Sequence, residues 1–217
     1  MTQFGRYSVY VDTSILGNWF LYYRNRNALQ KAEKRFIESF DLLSEIEKNN
    51  LRCSFISSTW AISELTDVVI DKMVAEKMMQ DEIPLSQFPS RRRTFEIEDE
   101  EVKRAISENI ADFRKFLNKL DVRIRSFEID DDSVIDLLLK HTFLSTPDAL
   151  HLSFVVRSCD MFVTLDDRHF LESKHRKEIE DADGIQILRP YELLKQFRKL
   201  PRTITARVKV EYRDQKT

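Results

Sequence analysis

Four acidic residues stand where their neighbours favour apolar side chains. Asp12 closes the run YSVYV and Asp166 closes MFVTL, while Glu64 lies within TWAISELTDVV and Asp148 in TPDALHLSFVV. Carboxylates gathered at one place raise one another's pKa, so such a group needs compensating charge. A divalent cation is the natural source. With no paired Cys or His beside them, oxygen ligands suit the hard ions Mg²⁺ or Mn²⁺ better than Zn²⁺. One or two such ions can activate water for in-line attack on phosphorus, which makes phosphodiester hydrolysis the chemistry to expect. Each acid also fits a structural role. Asp12 fits as a helix cap, Asp148 as a first-turn partner of the helix dipole, and Glu64 as a solvent-facing neighbour of Asp67 and Asp71. Asp166 and Asp167 both fit as turn formers.

The elements that would carry these acids follow from periodicity. Tyr7–Val11 reads as a strand ending at Asp12, with Asp12-Thr13-Ser14 opening a helix. Phe36, Phe40, Leu43 and Ile46 recur at helical spacing between about Ala28 and Lys48. Residues 51–57 read as a second strand. Ser58 or Thr59 caps a helix reaching about Met79 with Ile62, Leu65, Val69 and Met73 on one face. The polar stretch 80–99, with Pro84 and Pro89, reads as a loop or insertion. A long amphipathic helix follows, then a strand at 122–127 and a short helix at 131–140. Thr146-Pro147-Asp148 starts another helix with Pro in its first turn. Residues 161–165 and 184–188 read as strands, separated by a charged helix or loop, and 190–197 as a last helix. This alternation predicts an α/β sandwich around a mostly parallel sheet. It places Asp12 and Asp166 at strand ends, where parallel sheets bind ligands.

Composition narrows the classes further. The 217 residues suit one domain, 1–197, carrying the 80–99 insertion and followed by a basic tail at 198–217. Three glycines, Gly5, Gly17 and Gly184, are too few for phosphate-cradling loops, which sets aside Walker-type and dinucleotide-binding enzymes. Cys53 and Cys159 lie in apolar runs without zinc spacing and read as buried free thiols, so a cytoplasmic location is expected. No run approaches a membrane span or the layout of a signal peptide. Net charge is −2, but the tail and Arg91-Arg92-Arg93 are locally basic and would suit a polyanion as well as plain solvent. The stretch WFLYY at 19–23 with Arg24 and Arg26 would stack bases and meet phosphate, or simply pack. His151, three residues after Asp148, shares its helix face and reads as a structural histidine able to donate to a carboxylate. His169 could touch substrate, whereas His141 and His175 look peripheral. A phosphoryl-transfer role for Asp12 is disfavoured because Ser14 stands where such phosphatases place a second Asp.

In order and separation, VYVDTS, SSTWAISE, TPDALHL and VTLDDRHF resemble the motifs of PIN-domain nucleases, and PYELL at 190–194 resembles that family's ending. The resemblance spans about residues 6–197. It implies a three-layer α/β/α sandwich with a central, mostly parallel twisted sheet, and a metal-dependent endoribonuclease activity. Asp12, Glu64, Asp148 and Asp166 would hold Mg²⁺ or Mn²⁺, with Thr13, Ser14 and Thr164 as hydrogen bonders around them. The Thr-x-Asp spacing and Phe170 select Asp166 over Asp167, which becomes a cap, a supporting acid or a water-mediated contact. Many stand-alone members are toxins of VapC type, restrained by a small antitoxin protein, and dimers are expected. The long second helix, the 80–99 stretch and the basic tail depart from the compact toxin pattern. The alternative is a PIN-like module that binds RNA or protein without cutting.

Overall fold

The computed structural model describes residues 7–22, 34–48, 51, 53–95 and 100–198. Strand β1 (Tyr7–Val11) is followed by α1 (Thr13–Tyr22) and α2 (Lys34–Glu47). Strand β2 (Cys53–Ser58) then feeds the long α3 (Thr59–Gln80). After a 3₁₀ turn at Leu85–Gln87 come α4 (Phe88–Thr94), α5 (Glu100–Lys119) and β3 (Arg123–Arg125). Helices α6 (Asp131–Lys140) and α7 (Thr146–Ser158) lead to β4 (Met161–Val163), α8 (Ser173–Asp183), β5 (Gln186–Leu188) and α9 (Pro190–Arg198).

All strand pairs are parallel and the order is β3-β2-β1-β4-β5. The chain steps outward from β1 through β2 to β3, then crosses back to place β4 on the other side of β1. The order therefore reverses between β1 and β4, and such a switch point opens a crevice at the carboxyl ends of the two strands. Both faces are covered, as parallel sheets require. Val9, Val11, Met161 and Val163 face one layer, packing with Leu16, Leu42, Leu65, Phe113 and Leu193 of α1, α2, α3, α5 and α9. Tyr10, Ile56, Phe162 and Ile187, one step along in each strand, face the other, with Leu137, Leu152, Phe154 and Ile179 of α6, α7 and α8. Strand alternation thus sorts side chains between two cores, and the expected three-layer α/β sandwich is what forms.

Within the 80–99 stretch, read as a loop or insertion, residues 85–87 form a 3₁₀ turn and 88–94 a helix. Pro84 precedes the 3₁₀ turn and Pro89 sits in the first turn of α4, where a missing N–H is harmless. Arg92 then fastens α4 to α3, with Nε 2.5 Å from Asp71 Oδ1 and Nη2 3.0 Å from Asp67 Oδ1. Both prolines thus stand at the start of a helical turn. The second helix begins at Lys34 in the described residues, and the third strand spans only Arg123–Arg125. Gly184 ends α8 at φ 69°, a left-handed cap that favours glycine.

Cys53 and Cys159 are free and half-buried, and burial pushes both thiols up to about 12. Neither is a nucleophile at neutral pH. Among the described residues no helix is long and apolar enough to cross a membrane.

Candidate active site at the switch point

Asp12 leaves the end of β1 with its backbone N–H bonded to Val163 O of β4 (3.0 Å), so the two central strands hold it from both sides. Its side chain is 7% exposed. Oδ1 accepts from Thr13 N–H (2.8 Å), and Oδ2 accepts from the hydroxyls of Ser14 (2.7 Å) and Thr164 (2.6 Å). Ser58 caps α3 by accepting from Ala61 N–H (3.2 Å), which sets the helix so that Glu64 comes round beside α1. Thr13 donates its hydroxyl to Glu64 Oε2 (2.5 Å) while its N–H serves Asp12, so one residue joins two carboxylates.

Glu64 has two further donors. Trp60 Nε1–H reaches Oε1 (3.1 Å), and His151 Nε2 lies 2.8 Å from Oε2. Burial alone would raise the Glu64 carboxyl, but the hydrogen bond and charge of His151, with Thr13 and Trp60, hold it below its ordinary value. Burial likewise opposes the charge on His151. The hydrogen bond to Glu64 and the fields of Asp12, Glu64 and Asp148 outweigh it, and the imidazole is raised. His151 Nδ1 shares a hydrogen bond with the Tyr10 hydroxyl (2.8 Å), which also meets Ser58 Oγ (2.9 Å). Burial pushes the Tyr10 phenol well above its ordinary value, so it stays neutral. A polar chain from Ser58 through Tyr10 and His151 to Glu64 therefore crosses the end of the sheet.

Asp148 and Asp166 form the other half. Asp148 is the third residue of α7 and completes a capping box with Ser145, whose N–H reaches Asp148 Oδ2 at 3.0 Å and whose hydroxyl also donates to it. Asp166 follows β4, and its Oδ1 caps the turn by accepting from Arg168 N–H (2.9 Å) and His169 N–H (3.0 Å). That turn lays His169 Nδ1 between the acids, 3.0 Å from Asp166 Oδ2 and 3.2 Å from Asp148 Oδ2. Ligand atoms of Asp148, Asp166 and His169 lie within 4.8 Å of one another. Among the described residues this is the group dense enough to hold a metal ion. Thr164 links the halves, donating its hydroxyl to Asp12 and accepting from Asp166 N–H (3.0 Å).

The acids expected together thus occupy one connected network, but as two pairs: Asp12 with Glu64 through Thr13, and Asp148 with Asp166 through His169. Thr13, Ser14 and Thr164 take part as hydrogen bonders. Asp167, expected beside the site, is ion-paired with Arg189 and makes none of the hydrogen bonds described above. Arg24 and Arg26 lie outside the described residues, as do the aromatic side chains before them and the basic tail beyond 198. Sequence reasoning missed Tyr10, Trp60 and the bridging place of His169. A tyrosine in the middle of a strand offered a signal, because a buried hydroxyl needs a partner. His141, read as peripheral, is fully buried between Glu178 (3.0 Å) and Asp183 (2.8 Å).

Fold and site together define a doubly wound α/β protein with a cluster of carboxylates and histidines at its switch point. No protein-family model, curated protein or solved structure matches the chain.

Proposed function

We propose that the chain is a Mg²⁺- or Mn²⁺-dependent endoribonuclease of PIN-domain type, hydrolysing phosphodiester bonds in RNA. The observation that carries this reading is the convergence of Asp12, Glu64, Asp148 and Asp166 from four elements on one hydrogen-bonded network at the switch point, with a compact Asp148–Asp166–His169 group in it. The donor set fits a hard divalent ion, since carboxylate oxygens predominate and a single imidazole is compatible with Mn²⁺. Bound there, such an ion would polarise a phosphoryl oxygen and acidify a water.

The chain's own residues then have distinct tasks. Asp148 and Asp166 would supply oxygens to such an ion. Asp12 and Glu64 hold fixed negative charge behind it, each accepting three donors and keeping about one of a carboxylate's roughly four lone-pair positions open. His169 Nδ1 faces both front acids, and it would either give up its proton to solvent and ligate the ion or be displaced by it. On this reading the protein works in the cytoplasm as a dimer, and a small antitoxin protein would restrain it.

The test is cleavage of a fluorescein-labelled single-stranded RNA by purified protein. Cleavage should appear with Mn²⁺ or Mg²⁺, vanish in EDTA and return when the metal is restored. Cleavage that persists in EDTA, or none with either ion, would reject the assignment.

A further inference from the structure

Helix α3 carries more of the site than Glu64. Trp60, Glu64, Asp67 and Asp71 follow one another at spacings of four, three and four, so they line one side of the helix. Asp67 and Asp71 lie about 4.5 and 10 Å from Glu64 along the helix axis, at about 1.5 Å per residue. Both accept from Arg92 of α4. The segment after α3 therefore turns back, with Ile83 N–H bonded to Met78 O at 2.8 Å, and lays α4 against the same side that holds Glu64.

The three consecutive arginines are not equivalent. Arg92 is spent on two acids, while Arg91 and Arg93 on either side of it are exposed. Among the described residues neither of them has an acidic partner. Two free guanidinium groups thus stand on a short helix pegged within one to two turns of a site carboxylate. The crevice itself is acidic and repels phosphate, so a polyanionic strand needs cations beside it to stay in register. Guanidinium groups meet phosphate in bidentate fashion.

We propose that α4 is a phosphate-binding wall for single-stranded RNA, in which Arg91 and Arg93 grip backbone phosphates of the strand leading into the crevice and Arg92 fixes the wall to α3. This rests on the nuclease reading of the site and adds where the substrate lies.

The experiment measures binding of a short fluorescein-labelled oligouridylate by anisotropy in EDTA across a salt series. Wild type is compared with the double variant Arg91→Ala/Arg93→Ala and with Arg114→Ala/Lys115→Ala, which removes equal charge from the exposed side of α5. The first variant should weaken binding roughly tenfold and make the log–log salt slope shallower by about 1.4, since each single-strand phosphate contact contributes about 0.7. The α5 variant should leave the slope unchanged, and both should keep the wild-type melting temperature. Equal slopes for wild type and the α4 variant would overturn the wall. So would displacement of the oligonucleotide by polyglutamate at equal charge concentration, which would assign α4 to an acidic protein segment. If the α4 variant loses binding but wild type cleaves RNA with no divalent ion tested, the nuclease reading fails and the wall stands. If wild type cleaves and the α4 variant binds normally, the reverse holds.

Discussion

Asp12 and Glu64 accept from six protein donors between them, and those donors come from α1, α3, α7 and the segment after β4. Asp148 and Asp166 share one imidazole, and every other donor they have lies within three residues of the acid it serves. Three of the first pair's donors, the hydroxyls of Thr13 and Thr164 and the imidazole of His151, reach it from distant parts of the chain. The second pair is capped locally and held together by His169 alone. A carboxylate built into a long-range donor network contributes to stability as well as charge. One that only closes its own turn is free to be spent on a ligand.

The sharpest way to break that comparison is to neutralise one acid from each pair. Asp166→Asn keeps an oxygen for the two backbone N–H groups of its turn, so its melting temperature should stay at the wild-type value. Its metal-dependent cleavage should fall by more than about 10²-fold, beyond the 10–100-fold typical of a group that merely orients a ligand. Asp12→Asn should lose activity too, but it should also cost about 1–3 kcal/mol in denaturant unfolding, because a buried amide replaces an acceptor of three donors. Equal stability losses in the two variants would erase the distinction between the pairs.

A smaller effect should appear in the pH dependence of stability, measured in EDTA. Glu64 is held below its ordinary 4.5, so its contribution is complete above that value and is lost on acidification through the folded pKa. His151 is raised above its ordinary 6.5, so its contribution is complete below that value and is lost as pH rises through the folded pKa. Both contributions are therefore whole only between 4.5 and 6.5. The stability advantage of wild type over His151→Gln should be greatest in that window and shrink towards alkaline pH. A difference that is flat with pH would show that the contact between His151 and Glu64 carries no charge.

What the sequence made legible divides along physical lines. The end of β1 was readable because a carboxylate interrupting an apolar alternating run is a local event, as at Asp12, whereas β4, expected to run to Leu165, ends at Val163, three residues before Asp166. The helix positions of Glu64 and Asp148 were readable from helix-start signals, the cap at Ser58 and the first-turn proline Pro147. The order of strands was not, since β1 pairs with β4 across some 150 residues and no local pattern encodes that register. The bridging place of His169 depends on the same long-range event, because β4 must pack beside β1 before its following turn can reach α7. Helix α4 was hidden for another reason. Pro84 and Pro89 break helices in most positions, and only the ion pairs of Arg92 with α3 reveal that here they begin turns.

The smallest predicted effect concerns the neighbour of the most important residue. Asp166 and Asp167 are chemically identical and adjacent, yet the turn gives them different partners. Asp166 turns inward to its own cap and to His169, whereas Asp167 is two-thirds exposed (66%) and ion-paired with Arg189. An exposed pair of that kind contributes about 0–1 kcal/mol, and its loss leaves every donor to the site in place. Asp167→Asn should therefore change cleavage by less than about threefold, an upper bound obtained if as much as roughly 0.6 kcal/mol reached the transition state. Its melting temperature should be close to wild type. Cleavage rates for Asp166→Asn and Asp167→Asn, measured side by side at fixed Mn²⁺, check this directly. A comparable collapse in both would mean that Asp167 releases Arg189 and swings into the crevice when RNA or metal binds, so that the donor-poor half of the site would contain three acids.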